Sequence, residues 1–293
     1  MRQGTIEMRK EFDIISKVSD ADIENTHRSL QGYTAVPDAS NTHLFTMLQA
    51  TSNSEKNNEE NSAYLVEVAH KSQSRKSSIK KEIAHANDCA YYKDASGEYY
   101  LVATATKGKN VYVYKKSNLK KFCEISWTAT KDVDRISSIS HYKENYFFLS
   151  KGKHVILAAL MLDRKVFETI RTYELSPGSG AGHLDFSSLT PQGMWSVGNL
   201  LFKVFGEHDS NNYLHTNYIG KWEMDAQGNA TLEGVYKMEK SVKDYQLFEI
   251  ESISATSNSM YAAVKRAEKM QDKYQATLYS ITLKYIMNMG VSG

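Results

Sequence analysis

One segment returns five times along this chain at a spacing of roughly fifty to sixty residues, each copy reading as four short strands in a row. The second copy is the clearest. Ala90-Tyr91-Tyr92 is followed by a turn at Lys93-Asp94-Ala95-Ser96-Gly97, then Tyr99 to Ala103, Val111 to Tyr114 and Lys121 to Ile125. Each stretch is short, rich in aromatic and β-branched residues and bounded by turn formers. The first copy repeats the inner turn as Pro37-Asp38-Ala39-Ser40, and the third runs from His141-Tyr142 to Val166-Ile170. The first strands of the five copies fall near Gln31-Thr34, Asn87-Ala90, Ser137-Ser140, Gln192-Trp195 and Ile250-Ile253. This period predicts an all-β fold: a single five-bladed β-propeller over residues 1–293.

The outer strands carry a signature of their own. Lys121-Phe122-Cys123-Glu124-Ile125 and Lys165 to Ile170 are matched at the N-terminus by Lys10-Glu11-Phe12-Asp13-Ile14-Ile15. The last copy supplies only three strands, ending at Thr277 to Leu283. Pairing residues 9–17 onto it would close the ring and remove exposed sheet edges. A two-domain β-sandwich is the alternative, but five related first-strand segments are hard to place in one.

Composition excludes several classes of function. The 36 basic and 34 acidic residues of this 293-residue chain leave a formal charge of +2 and are interspersed, so nucleic acid is not an expected partner. Met1 to Val18 lacks the run of about 7 to 15 apolar residues of a signal peptide, and no apolar run reaches the roughly 18 residues of a membrane span. The expectation is a soluble monomer, cytoplasmic or released without a standard signal. Cys89 and Cys123 fall on the first and last strands of one blade, roughly 14 Å apart, beyond the about 7 Å that a disulfide bridges. Neither they nor the nine histidines show zinc-ligand spacing, so no metal and no cofactor is expected.

Among the motifs, the run Pro177-Gly178-Ser179-Gly180-Ala181-Gly182-His183 lacks the Lys-Ser or Lys-Thr of a phosphate loop and reads as a link between blades. The basic run Lys71 to Lys81 reads as a solvated strand connection. The polar residues of the first strands carry more meaning, because these strands line the channel. Aligning the shared Asp-Ala-Ser turn sets Gln31 over Asn87 and Gly32 over Asp88, and a further alignment puts Glu251 in the layer of Asp88. Two carboxylates would then share one axial mouth with His85, Asn87, Gln31, Gln192, Glu249 and His141 beside them. Such a pair either performs acid-base chemistry or hydrogen-bonds the inner-strand backbone. Tyr33 and Trp195 are placed to stack on a sugar ring.

His85-Ala86-Asn87-Asp88, Ser137 to Tyr142 and Glu249-Ile250-Glu251-Ser252-Ile253, with Leu278-Tyr279, give the second, third and fifth copies a pattern that resembles the helveticin J type bacteriocins. The resemblance implies binding to a cell-surface component without a catalytic site. The leading expectation is therefore a non-enzymatic propeller binding a small polar ligand or glycan through Gln31, Tyr33, His85, Asn87, Asp88, His141, Gln192, Trp195, Glu249 and Glu251. The alternative is a glycoside hydrolase or lyase in which Asp88 and Glu251 are catalytic and His85 orients one of them. A protein-interaction scaffold using the loop-rich rim is a third reading.

Overall fold

A computed structural model describes residues 2–14, 27–50, 62–80, 83, 87–105, 110–128, 130–176, 185–208, 214–239, 247–267 and 275–285. The described residues form twenty strands and one 3-10 turn (Phe186–Ser188), with no α-helix among them. After β1 (Arg2–Asp13), the chain makes four antiparallel meanders of four strands. These are β2 to β5 (His27–Val36, Thr42–Ala50, Ser62–Ala69, Arg75–Lys80), β6 to β9 (Cys89–Lys93, Tyr99–Thr104, Asn110–Lys115, Lys121–Ser126), β10 to β13 (Ser138–Lys143, Tyr146–Lys151, His154–Met161, Val166–Glu174) and β14 to β17 (Thr190–Val197, Leu200–His208, Leu214–Met224, Ala230–Glu239). The last unit has β18 (Leu247–Ala255), β19 (Met260–Ala267) and β20 (Gln275–Tyr285), with β1 as its fourth strand.

Turn chemistry fixes where the first strand of a unit reverses into the second. The Asp38 carboxylate accepts from Ser40 N, Thr42 N and the Thr42 hydroxyl, and Asp94 does the same for Ser96 and Glu98. The first strands pack in cyclic order, β2 against β6, β6 against β10, β10 against β14, β14 against β18 and β18 against β2. Two glycines permit that approach. A Cβ on Gly32 would lie 2.6 Å from Asp88 Cα, and one on Gly193 would lie 2.3 Å from Ser252 Oγ.

β1 pairs antiparallel with β20 from Gly4↔Tyr285 to Asp13↔Thr277, with a bulge between Lys10 and Phe12. It begins earlier than the expected residue 9, and residues 15–17 lie outside the described residues. Its far end is anchored: Thr277 Oγ1 and Arg266 donate to Asp13 at 2.8 and 3.1 Å, and Arg75 donates to the carbonyls of Ile14 and Asp13 at 3.1 and 2.9 Å. Phe12 and Ile14 enter a core shared with Leu30, Phe45, Tyr64, Tyr261 and Leu278 of the first and last units.

In two respects the sheets differ from five separate ones. Residues Arg2 to Thr5 of β1 also pair parallel with Gly234 to Lys237 of β17, and Val166 of β13 pairs parallel with Ser126 of β9. These outer-edge contacts merge four units into two eight-stranded sheets, leaving β2 to β5 as a four-stranded sheet. The expected solvated connection of residues 71–81 contains strand β5, a short edge strand rich in Ser and Lys. Cys89 and Cys123 are buried and unpaired. The glycine run 177–183 lies outside the described residues.

Candidate functional site

A cavity of about 270 Å³ opens where the first strands of all five units end. Its floor carries the hydroxyls of Thr34, Ser140, Ser196 and Ser254, supplied by β2, β10, β14 and β18 and all buried. Ser140 Oγ and Ser196 Oγ lie 3.0 Å apart, Ser196 donates to the His141 carbonyl at 2.9 Å, and Ser254 Oγ accepts from Ala35 N at 3.0 Å. Each hydroxyl keeps donor or acceptor capacity beyond these bonds. Around the floor stand Tyr91, His141, Tyr142 and Trp195. Trp195 is half-buried and stacks on Phe202 with centroids 5.2 Å apart, which fixes its plane. His141 packs 4.8 Å from Tyr91, and its Nε2 donates to the Glu144 carbonyl at 2.8 Å. Burial lowers its pKa and favours the neutral imidazole.

Beneath this floor lies a layer of buried polar groups centred on Asp88, which is 0% exposed. Asp88 Oδ1 accepts from Cys89 N at 2.9 Å and Ser252 Oγ at 3.1 Å, and Oδ2 accepts from Ile139 N at 3.1 Å. One carboxylate thus ties three first strands together at the axis. Burial pushes its pKa up to about 7 against these three donors. Lys203, also fully buried, donates to Ser138 Oγ at 3.2 Å and Ser150 Oγ at 2.8 Å, and burial lowers its pKa to about 8.

Glu251 does not share the Asp88 layer. It is the extra residue of a β-bulge between Ile250 and Ser252, so Ser252 is the residue that reaches Asp88. Gln31 occupies the same kind of bulge between Leu30 and Gly32, and its amide donates to Ser29 Oγ and the Leu30 carbonyl. Lys265 Nζ lies 2.7 Å from Glu251 and 2.8 Å from Glu249, and Gln192 donates to Glu249 at 2.6 Å. Burial, with Glu249 alongside, pushes Glu251 up to about 8 against the pull of Lys265.

Of the residues singled out in the sequence, Tyr33, His141 and Trp195 line the cavity. The Tyr33 ring nevertheless turns into the core, stacked on Phe45 with its hydroxyl 2.8 Å from His43 Nδ1, so it offers no exposed stacking face. The expected pairing of Asp88 and Glu251 across an open mouth is not what the structure holds: both are buried and engaged, and neither lines the cavity. Gln31, Gln192 and Glu249 sit with them toward the strand starts, Asn87 is half-buried just before β6, and His85 lies outside the described residues. The serine floor is not among the residues singled out in the sequence. Its signal is Ser-Ile-Ser at both 138–140 and 252–254, small polar residues alternating with a core isoleucine.

No family model and no curated protein sequence matches the chain. Solved structures match it in fold. The tail fibre of Staphylococcus aureus phage P68 aligns at TM-score 0.58 and 12% identity over 94% of this chain, which spans about half, 52%, of the fibre chain. Myxococcus xanthus glutaminyl cyclase aligns at 0.54 and 9% identity, covering 98% of this chain and 99% of its own. The Bacillus subtilis arabinanase Arb43A aligns at 0.50 and 10% identity, covering 88% and 96%. Identities this low establish the fold alone, which is β-propeller-like.

Proposed function

We propose that the chain is a single five-bladed β-propeller, its N-terminal strand completing the last blade, that binds a glycan as a monomer without transforming it. The observation that carries this reading is the cavity at the end of the five first strands, with buried hydroxyls below and Tyr91, Tyr142 and Trp195 around it. Aromatic faces stack on the C–H surfaces of sugar rings while hydroxyls exchange hydrogen bonds with sugar hydroxyls. The fold likeness to an arabinanase supports a carbohydrate as the ligand class. A cell-surface polymer as its source rests on the helveticin J type resemblance. No helix among the described residues is long and apolar enough to cross a membrane.

Affinity electrophoresis through gels cast with plant, fungal and bacterial polysaccharides tests this. At least one polymer should retard the protein, and Trp195→Ala should run free with its circular dichroism unchanged. Equal retardation of the variant removes the cavity from the binding reading.

The same likeness favours hydrolysis as a second reading, with Asp88 and Glu251 as acid and base and His85 orienting one of them. Carboxyl groups held near pKa 7 and 8 are what a general acid at neutral pH needs. Weighing against it, both are buried outside the cavity. Release of reducing sugar that is lost in Asp88→Asn and Glu251→Gln, with binding retained, would establish the enzyme.

A further inference from the structure

Taking the glycan reading as its basis, we propose that the axial cavity selects uncharged saccharide units and rejects units bearing carboxylate, sulfate or phosphate. None of the described residues that line it is Asp, Glu, Lys or Arg. All five first-to-second-strand turns that frame this mouth are described, so the charge pattern around it is defined. Lys93 lies over the Tyr99 ring at 5.1 Å and Lys143 over the Tyr142 ring at 5.3 Å, and neither lysine lines the cavity. Lys116 holds Asp38 at 3.0 Å and Glu67 at 3.5 Å. Below the floor, Lys203 and Asp88 are both buried and both committed to protein partners.

An anionic sugar seated on the serine floor would therefore give up part of the water around its charge to a lining that holds no cation. Partial desolvation of an ion that gains no counter-charge in return is disfavoured. A neutral sugar meets no such cost, because its hydroxyls exchange water for the remaining lone pairs of Ser140 and Ser196 and the hydroxyl proton of Ser254. The neutral imidazole of His141 adds a polar edge without a charge.

Calorimetric titration of the full chain with tetrasaccharides of glucose, galactose and mannose, each beside the uronate obtained by oxidising its C6, provides the test. In any pair that binds, the neutral member should be at least tenfold tighter, and its affinity should not change when sodium chloride is raised from 50 to 500 mM, roughly a threefold shorter screening length. A uronate that binds as tightly as its neutral partner, or more tightly, overturns the selectivity and leaves the glycan reading standing. Absence of binding by every member of every pair overturns the glycan reading and the selectivity with it.

Discussion

Replacing Phe12 by alanine should destabilise the protein far more than the same change at Phe122, although both sit in similar Lys-rich outer-strand sequences. Phe12 is 6% exposed, and its ring stands edge-on to His43 and His70 at 5.7 and 6.0 Å, inside the core that joins the first and last units. Phe122 is 46% exposed and touches mainly Tyr100 and the Lys115 ammonium. Truncating a buried phenylalanine removes its transfer energy and leaves a cavity, costing about 3–5 kcal/mol. That is a large fraction of the roughly 5–15 kcal/mol by which folded domains are stable. At about 2–4 °C per kcal/mol for chains approaching this size, the melting temperature should fall on the order of 10 °C. Phe122→Ala should stay within about 0.5 kcal/mol of the parent. Urea unfolding followed by both fluorescence and circular dichroism measures the difference, and amide exchange should quicken in β20 and β2 of the Phe12 variant. Equal stability of the two variants would refute the closure of the first and last units by β1.

Gly193→Ala places a methyl group 2.3 Å from Ser252 Oγ and 2.8 Å from its Cα, so the axis must widen, and a loss of about 1–3 kcal/mol in denaturant titration is expected. His43 is buried between His70 and the Tyr33 hydroxyl, and burial lowers its pKa from 6.5 to about 3. Because the unfolded chain binds that proton more readily, the His43 contribution to stability is complete above pH 6.5 and is lost as pH falls toward 3. NMR titration should show the His43 ring neutral at pH 5 in the folded protein, and a ring protonated there would contradict its burial. Asp88→Asn turns an N–H group toward donors that now find an oxygen, leaving Ile139 N or Cys89 N without an acceptor at about 1–3 kcal/mol. A variant as stable as the parent at pH 8 would show that Asp88 does not tie the first strands together.

The meander repeat was legible because alternation and turn chemistry are local. The Asp-Ala-Ser turns at 38–40 and 94–96 both carry the hydrogen bonds that such turns make. The pairing of β1 with β20 was legible from a missing strand at one end and a spare one at the other. Parallel contacts of outer strands leave no local pattern, so the merging of β17 with β1 could not be read. The expected layer of Asp88 and Glu251 broke at one physical point. A bulge inserts one residue, and at Ile250–Ser252 that shift exchanges the side chain facing the axis, so an alignment by residue count put Glu251 where Ser252 stands. Outer strand β5 was hidden by its lysines and serines, which suit an exposed edge as well as they suit a loop.

The most direct measurement is the position of a bound saccharide in a crystal of the protein soaked with the tightest neutral tetrasaccharide. The sugar ring is expected in the cavity at the end of the five first strands, against Trp195 and within hydrogen-bond distance of Ser140, Ser196 or Ser254. Density for the sugar at the opposite end of the axis, beside Glu249 and Glu251, or on the outer rim with this cavity left to water, would contradict it.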